Sequence, residues 1–339
     1  MRICDLGEQR ILQRLQRFCP DGLVGDDAAL MAVAPDHRLV VTADTMVDGV
    51  HFSWGMANPA VWTMTPRDAG WRVAAANLSD IAAMGAQPLG ITVSLGLPPQ
   101  SLWADIEALY QGMVDCLAPH HTPIVGGDVC RSSVLTVAIA AFGQVLPHQA
   151  IPRSQAQPGD AILVTGYHGN SRAGLELLLQ PHLQGEVEAG DRQALIQSHQ
   201  RPHPRLDVIH QLRQLELAQG QSVRVAGMDS SDGLADALWQ ICRASQVGAV
   251  VDRTAIPIAP ALKRWRSPQD ALNWALYGGE DFELVLTCEG AIAHALIAQI
   301  GFPAAIIGHI TAPPDIVLTD PDQPNYRESL QLTQSFQHF

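Results

Sequence analysis

Lysine is almost absent from this chain. Lys263 is the only lysine among 339 residues, and the other permanently cationic side chains are arginines. Enzyme classes that need a phosphate-gripping or Schiff-base lysine are therefore almost excluded. Acidic side chains outnumber lysine and arginine, and the net charge is −13. Nucleic acids and anionic membranes both require a basic surface, so we expect neither as a partner.

Long apolar runs are missing as well. The longest uncharged run, Ala291 to Pro314, is broken by Gly301 and Pro303, which predicts a helix, a turn and a strand and not a membrane span. The first ten residues contain acids and no apolar core, so they do not resemble a secretory signal. We therefore expect a cytoplasmic protein.

Cysteine is sparse and scattered. A C-x-x-C pair does not occur, so the sequence predicts neither a zinc site nor a disulfide framework, and a reducing compartment suits it. A nucleophile-elbow G-x-S-x-G is also lacking. The cysteines are Cys4, Cys19, Cys116, Cys130, Cys242 and Cys288.

What the chain does contain is typical of a mixed α/β protein of about two domains. Three prolines and no apolar periodicity mark 147–159, so we expect an N-terminal domain over 1–147 and a C-terminal domain over 148–339. Predicted strands lie at 38–44, 89–97, 134–145, 160–166, 247–252, 281–288 and 303–310. Predicted helices lie at 6–18, 67–84, 102–117, 171–180, 204–217, 231–245 and 289–300, and Gly85 is placed to end the second of them.

Aspartate beside glycine recurs in short segments that follow or end apolar runs. Each segment alone has an ordinary interpretation as a turn or helix cap. If several carboxylates converge, however, their repulsion must be relieved by a cation, and oxygen ligands select Mg²⁺ or another hard cation. The segments are "VGDDAAL", "VVTADTMVDGVHF", "NLSDIAAMGA", "PIVGGDVC", "MDSSDGL" and "GGEDFEL".

Asp80 is the acid that a turn explains least well. Alanines surround it in "VAAANLSDIAAMG", on a helix that we expect to be mostly buried, and no lysine or arginine lies within a turn of it. A buried carboxylate without a cationic partner is costly. A metal cation is the simplest candidate for a partner of this carboxylate.

Two further segments favour structural interpretations. Residues 164–174, "VTGYHGNSRAG", follow a strand and open a helix, but they lack the Gly-Lys of a phosphate loop and the dinucleotide glycine spacing. We interpret them as a structural helix start, although a helix N-terminus can still face an anion. The histidines of "HQRPHP", 199–204, are more typical of a polar loop than of a metal site.

Seven motifs in order resemble the thiamine-monophosphate kinase family, which belongs to the superfamily typified by aminoimidazole ribonucleotide synthetase. The resemblance covers nearly the whole chain. Its motifs are "GDDAAL", "TADTMVDGVHF", "NLSDIAAMGAQP", "GGD", "PRSQAQPGDAILVTG", "SSDGL" and "GGEDFEL".

The resemblance implies an N-terminal mixed-sheet domain that forms a barrel across a homodimer, and a C-terminal α/β domain that covers the nucleotide site. It also implies transfer of the ATP γ-phosphoryl group to thiamine monophosphate, assisted by several Mg²⁺ ions, to give thiamine diphosphate.

The resemblance assigns roles to particular residues. It implies a magnesium shell of Asp27, Thr42, Asp44, Asp80, Asp128, Asp229 and Asp232. It places Gly127, Asp128, Arg153 and Ser231 against ATP, and His51, Glu280 and Phe336 against the thiamine phosphate. The catalytic residues are expected to be Asp44, Asp80, Asp128 and Arg153.

Two alternatives stay open. The first is another enzyme of the superfamily: a purine-pathway ribonucleotide synthetase is the closer rival, whereas selenophosphate synthetase normally needs a reactive cysteine beside a lysine, which Cys4 and Cys19 lack. The second is a non-catalytic nucleotide-binding subunit, which would have no reason to keep so many crowded carboxylates.

The "MDSSDGL" segment, 228–234, carries its own question. Serine and aspartate ahead of a helix are expected to cap it, and the same helix end favours phosphate. We interpret Asp229 and Asp232 as metal ligands and Ser231 as a nucleotide contact, which leaves Ser230 as the structural residue.

Overall fold

A computed structural model gives the fold and describes residues 1–20, 23–24, 28–56 and 58–330. The chain divides into two compact units, each with its own mixed sheet and helices, so the predicted two-domain α/β class is confirmed. Unit 1 comprises Met1–Ile81 and Ala86–Leu146, and unit 2 comprises Ala82–Gly85 and Pro147–Phe339.

Unit 1 contains a four-stranded sheet of order β1-β4-β2-β3. β2 and β3 are parallel, and the other two pairs are antiparallel. Its elements are α1 (Glu8–Leu15), β1 (Arg38–Val47), α2 (Pro66–Ala83), β2 (Gln87–Leu97), α3 (Trp103–Leu117), β3 (Ile124–Arg131) and β4 (Thr136–Val145), with short 3₁₀ turns between some of them.

Alternation along the strands gives the unit 1 sheet two different faces. Val93 and Leu95 of β2 and Ile139 of β4 lie on the buried face. The α2 and α3 helices contact each other closely, since a Cβ atom on Gly70 would lie 1.8 Å from the carbonyl oxygen of Leu109. Only glycine allows this approach, so the two helices pack backbone to backbone.

Unit 2 contains a seven-stranded sheet of order β11-β10-β7-β9-β5-β8-β6, in which only β10 and β7 are parallel. Its strands are β5 (Ala161–Val164), β6 (Ala226–Asp229), β7 (Gly248–Asp252), β8 (Leu284–Cys288), β9 (Ala305–Thr311), β10 (Ile316–Thr319) and β11 (Arg327–Ser329). Its helices are α4 (Asn170–Leu179), α5 (Ala189–Gln200), α6 (Leu206–Gln219), α7 (Leu234–Ser245), α8 (Pro260–Trp265), α9 (Pro268–Tyr277) and α10 (Gly290–Ile300).

All seven predicted strands and all seven predicted helices are present within a few residues of their expected ends. Gly85, with φ of 69°, follows the end of α2 as expected. The prediction missed four strands and three helices of the described chain. The missed elements are β3, β6, β10, β11, α5, α8 and α9.

The missed elements have weak patterns. The β6 strand has only four residues, "AGMD", and β3 contains two glycines, so neither shows β-branched alternation. The α5 helix is mostly polar and buries only Leu195 and His199. No helix in the described parts of the chain is long and apolar enough to cross a membrane.

His168 is an unusual member of the unit 2 interior. The side chain is completely buried, and neither ring nitrogen has a hydrogen-bond partner. The backbone N–H donates to the Pro257 carbonyl at 2.9 Å. Burial lowers the pKa of His168 to about 3 from 6.5, so the ring stays neutral in the folded protein.

Replacing His168 by leucine should make folding less sensitive to acid. Below pH 6.5 the unfolded chain binds a proton that the folded chain refuses until about pH 3. As the pH is lowered across this range, the free energy of unfolding therefore falls by up to about 1.4 kcal/mol per pH unit. Urea unfolding at several pH values should show a shallower decline in His168→Leu.

The matched control is His182→Leu, because His182 is exposed. Its stability should follow the wild-type pH dependence. Parallel curves for wild type and His168→Leu would contradict the assignment of His168 as a neutral buried group.

Candidate functional site

Thr42 and Asp80 form the acidic centre of unit 1. Thr42 lies on β1 and its hydroxyl donates to the Asp80 Oδ2 on α2 at 2.5 Å. Asp44 is two residues along β1 and therefore on the same face of the strand, where its Cα pairs with that of Ile139. Strand alternation thus directs Thr42 and Asp44 to the side of the sheet where α2 brings Asp80.

Asp80 is less buried than the sequence suggested. The adjacent Ser79 and Ile81 are fully buried, whereas Asp80 is partly exposed. The helix is mostly buried, as expected, but this carboxylate is only partly buried, because this position of α2 faces Thr42 and not the apolar core. The hydroxyl supplies a neutral partner and leaves the carboxylate accessible.

Gly127 and Asp128 lie in the middle of β3, which no pattern in the sequence predicted as a strand. A Cβ atom on Gly127 would lie 1.9 Å from the Val93 carbonyl oxygen, so glycine is required where β3 runs beside β2. Asp128 pairs in register with Ser94 and is exposed. The glycine therefore sets a close strand pair that presents the Asp128 carboxylate to solvent.

A cavity of about 160 Å³ in unit 1 is bounded on one side by Gly127 and Asp128. Apolar side chains line much of the remainder, including Leu12 and Leu15 of α1 and Val125 of β3. Polar and apolar walls therefore meet in one small cavity.

Tyr110 also lines this cavity, and sequence reasoning missed it. Tyr110 is 4% exposed, and burial raises the pKa of its hydroxyl. The ring lies 5.2 Å from that of Phe18, centroid to centroid. On a helix with an apolar stripe such a tyrosine is indistinguishable from a core residue until β3 is placed beside it.

His51 lies just after β1. Its Nδ1 accepts a hydrogen bond from the Val47 N–H at 3.2 Å. The ring proton of the neutral form is therefore on Nε2. The backbone thus fixes both the orientation and the tautomer of this side chain.

In unit 2 the "MDSSDGL" segment joins β6 to α7. Asp229 is the last residue of β6 and is buried, and it accepts a hydrogen bond from the Ser231 hydroxyl at 2.8 Å. Asp232 is exposed. The N-cap of α7 is Gly233, so the expectation that serine or aspartate caps this helix is wrong: the Ser231 hydroxyl is used by Asp229 instead.

Ser230 has a purely structural set of contacts. The Ser230 N–H donates to the Glu283 carbonyl at 2.8 Å, and its hydroxyl accepts from the Glu283 N–H at 3.2 Å. Its carbonyl accepts from the Gly233 N–H at 3.1 Å. These contacts give Ser230 a structural role, and its assignment as the residue of the motif without a ligand contact stays a prediction.

The backbone of Arg153 lies beside the last residue of α7, and its side-chain charge acts on Asp236 in the first turn. The Arg153 carbonyl accepts from the Ser245 hydroxyl at 2.8 Å. Asp236, which sequence reasoning did not single out, has a raised pKa because of burial and the Asp232 charge, opposed in part by Gln240 and Arg153. Arg153, Asp232 and Asp236 therefore share one electrostatic environment.

The "GGEDFEL" segment, 278–284, has an unusual backbone. Gly279, Glu280 and Phe282 all have positive φ, at 66°, 61° and 54°. Such angles are uncommon for residues with a side chain. The Glu280 N–H donates to the Ser231 carbonyl at 2.7 Å, so this segment is tied directly to "MDSSDGL".

The Asp281 side chain lies at the N-terminal end of α4. Its carboxylate accepts from the Gly169 N–H at 2.6 Å and from the Ser171 N–H at 2.8 Å. Burial raises the pKa of Asp281 to about 7, although the two N–H groups favour the charged form. The segment 164–174 is thus a structural helix start, and the anion that its helix faces is the protein's own carboxylate.

Beside Asp281, Glu283 is also enclosed. Its carboxylate accepts from the Thr165 hydroxyl at 2.6 Å and is hydrogen-bonded to the Arg205 guanidinium. Burial raises the pKa of Glu283, while Arg205 and Thr165 oppose the shift. These contacts hold the strained segment from its C-terminal end.

Among the described residues, two pairs of side-chain oxygen atoms that could serve as metal ligands lie within hydrogen-bond distance of each other. They are Thr42 with Asp80 and Asp229 with Ser231. Within those residues no group of three or more His, Cys, Asp or Glu side chains could hold a metal ion. Pairs of donors suit a cation that takes its other ligands from water and phosphate, as Mg²⁺ does. Asp27 and Phe336 lie outside the described residues.

Comparison with known families agrees with this arrangement. The model of the AIR synthase related protein N-terminal domain matches residues 25–145, and that of the C-terminal domain matches residues 157–321. Thiamine-monophosphate kinase from Synechococcus elongatus is 47% identical in an alignment of 339 positions that covers 99% of this chain and 98% of the relative.

Two solved structures extend the comparison. Thiamine-monophosphate kinase from Stenotrophomonas maltophilia K279a has a TM-score of 0.76 and 34% identity, and the match covers 91% of this chain and 94% of the other. AaThiL complexed with AMPPCP and TMP has a TM-score of 0.70 and 26% identity, with 97% and 99% covered. The chain therefore belongs to the AIR synthase related proteins and, within them, to the thiamine-monophosphate kinase family.

Proposed function

We propose that the chain transfers the γ-phosphoryl group of ATP to thiamine monophosphate and so forms thiamine diphosphate. The observation that carries the proposal is the 47% identity, over essentially the whole chain, with a thiamine-monophosphate kinase. The relative that was crystallised with AMPPCP and TMP supports both substrates. The interlocked acidic motifs of unit 2 supply a rigid frame for such a reaction.

The cavity of unit 1 is our candidate for the adenine of ATP. An aromatic base suits its apolar walls and the ring of Tyr110. Gly127 and Asp128 at its edge would then face the rest of the nucleotide. Arg153 and Ser231 are proposed as further ATP contacts, with the Arg153 guanidinium as a two-pronged phosphate ligand.

Magnesium fits the donor set. A hydroxyl and a carboxylate oxygen lie 2.5 Å apart at Thr42 and Asp80, and all-oxygen ligation of this kind selects a hard cation. Several Mg²⁺ ions would neutralise phosphate charge when bound. The residues proposed to hold them are Asp27, Thr42, Asp44, Asp80, Asp128, Asp229 and Asp232.

The acceptor needs no general base. A phosphate monoester has a second pKa of about 6 and is largely a dianion at neutral pH, so one of its oxygens can attack the γ-phosphorus directly. The obstacle is repulsion, which for two unit charges about 4 Å apart at an effective dielectric near 20 is roughly 4 kcal/mol. Arg153 and the bound cations would offset that repulsion.

His51, Glu280 and Phe336 are proposed to face the thiamine phosphate. The Nε2–H of His51 suits a phosphate oxygen. Glu280 presents a carboxylate with 33% of its side chain exposed, which suits the cationic or amino-bearing part of the acceptor. An N–H donor would thus recognise the phosphate of the acceptor, and a carboxylate would recognise its cationic or amino-bearing part.

The rival functions fit less well. A purine-pathway ribonucleotide synthetase shares the superfamily fold, but the relative that matches nearly the whole chain is a thiamine-monophosphate kinase. A non-catalytic subunit has no use for accessible carboxylates at Asp80 and Asp128. We also place the protein in the cytoplasm, because all six cysteines are free thiols.

The magnesium proposal predicts that Asp44→Asn and Asp80→Asn keep the fold and lose activity. Each change removes one charge and little volume, so the thermal midpoint should change little. The rate of thiamine diphosphate formation should fall at least about 100-fold. Wild-type protein should form the product only when Mg²⁺ is present.

Asp105→Asn is the matched control, since Asp105 is an acid of unit 1 on α3, away from the motifs. It should retain wild-type activity. Full activity in both Asp44→Asn and Asp80→Asn would rule out the metal role, and a wild-type protein that forms no thiamine diphosphate would rule out the function.

The sheet of unit 1 supports the proposed homodimer. Leu39 and Val41 are 52% and 58% exposed. The register of β1 with β4 puts Ala140 and Phe142 on the same face. Exposed apolar side chains on neighbouring strands typically contact another protein surface. We propose that the same face of a second copy covers it, giving the barrel between subunits.

Val41→Glu should therefore weaken self-association. Sedimentation equilibrium should give about twice the 36.5 kDa chain mass for wild type and close to the chain mass for the variant. Leu217→Glu, at a leucine of α6 that is 74% exposed, should remain a dimer. A monomeric wild type would contradict the proposal.

A further inference from the structure

His199 is a buried histidine that the proposed chemistry does not yet use. It lies near the end of α5 and is 1% exposed. The expectation of a polar loop is wrong for this residue, because the helix continues through Gln200 before the irregular segment begins. A buried imidazole beside polar side chains commonly forms specific contacts with them.

The Nδ1 atom of His199 has two polar neighbours. It lies 3.0 Å from the Ser171 hydroxyl oxygen and 3.9 Å from Oε2 of Glu280. The first distance is a hydrogen bond, and the second is longer than one. The Glu280 carboxylate is therefore a close neighbour of the ring and not yet a hydrogen-bond partner, and such contacts commonly shorten when a substrate binds.

The partners of His199 form a closed circuit. The Ser171 N–H donates to the Asp281 carboxylate at 2.8 Å, and Asp281 follows Glu280 directly in the chain. Ser171 thus links His199, which lies beside the Glu280 side chain, to the next residue of the same segment. Each member constrains the others.

Close packing of α4 against α5 keeps His199 in place. A Cβ atom on Gly174 of α4 would lie 2.2 Å from the Leu195 carbonyl oxygen and 3.0 Å from the Cβ of His199. The glycine allows the two helices to approach at the level of the ring. The imidazole is therefore held by backbone contact as well as by Ser171.

The Glu280 backbone is fixed, but its carboxylate must be oriented separately. The Glu280 N–H donates to the Ser231 carbonyl, and its φ of 61° is the strained left-handed value. These contacts settle where the Cα lies. The side chain extends from there with 33% of its surface exposed, and His199 is on its buried side.

We propose that His199 is a positioning residue that orients the Glu280 carboxylate toward the cationic or amino-bearing part of the phosphate acceptor. The inference rests on the proposed function and deepens it. Glu280 contacts the acceptor, and His199 acts only through Glu280. The pair therefore contributes to recognition of the acceptor and not to ATP binding or to phosphoryl transfer.

The test is a kinetic comparison of His199→Leu, His199→Asn and wild type. His199→Leu should raise the KM for thiamine monophosphate about 10-fold or more and leave the KM for ATP and kcat within about threefold. Asparagine places an N–H donor close to the Nδ1 position, so His199→Asn should recover most of the lost affinity. Circular dichroism and thermal unfolding confirm that each variant is folded.

Coupling to Glu280 gives the second readout. Glu280→Gln should raise the same KM, and adding His199→Leu to it should have little further effect, because the histidine acts through the carboxylate. Gln197→Leu, on the exposed side of α5, is the matched control and should behave as wild type.

The outcomes separate the inference from the proposed function. If wild type forms no thiamine diphosphate, the function fails. If wild type is active and folded His199→Leu has an unchanged acceptor KM, the positioning role is overturned. Effects on kcat and both KM values together, additive with Glu280→Gln, would show a general structural role and would also overturn it.

Discussion

The hydrogen bonds between "MDSSDGL" and "GGEDFEL" are the constraint on which the rest of unit 2 depends. β6 and β8 are antiparallel neighbours, and just beyond their ends Ser230 and Glu283 exchange two hydrogen bonds while Ser231 accepts from Glu280. Because of these contacts, a positive φ at Glu280 is tolerated. The three acids of the strained segment then have different partners: Glu280 lies near His199, Asp281 accepts from the N–H groups of Gly169 and Ser171, and Glu283 is paired with Arg205.

The carboxylates of the chain have different partners. Asp281 is buried against the N–H groups that open α4, and Glu283 is paired with Arg205. Both are internal supports with raised pKa values. Asp80 and Asp128, in contrast, stay accessible to solvent. A chain with a single lysine and a net charge of −13 can bind a nucleotide in this way only if cations stand between its acids and the phosphates.

Periodicity predicted the long helices and β-rich strands because it records burial directly. It could not find β3 or β6, since their glycines and short lengths leave register with neighbouring strands to define them. For the site, a carboxylate in an alanine-rich helix singled out Asp80, and an aspartate beside glycine singled out Asp128. Tyr110 had none, because only the tertiary fold separates a cavity wall from a core position. The backbone cap at Gly233 was hidden by the serines and aspartates beside it.

Phosphorylation of a thiamine phosphate on this frame is tested most directly by comparing two acceptors. Purified protein would be given ATP and Mg²⁺ with either thiamine monophosphate or formylglycinamidine ribonucleotide, and ADP and the phosphorylated product would both be measured. The account predicts ADP and thiamine diphosphate in equal amounts with the first acceptor and neither product with the second. ADP formed with the ribonucleotide alone, or ATP bound with no turnover of either acceptor, would contradict it.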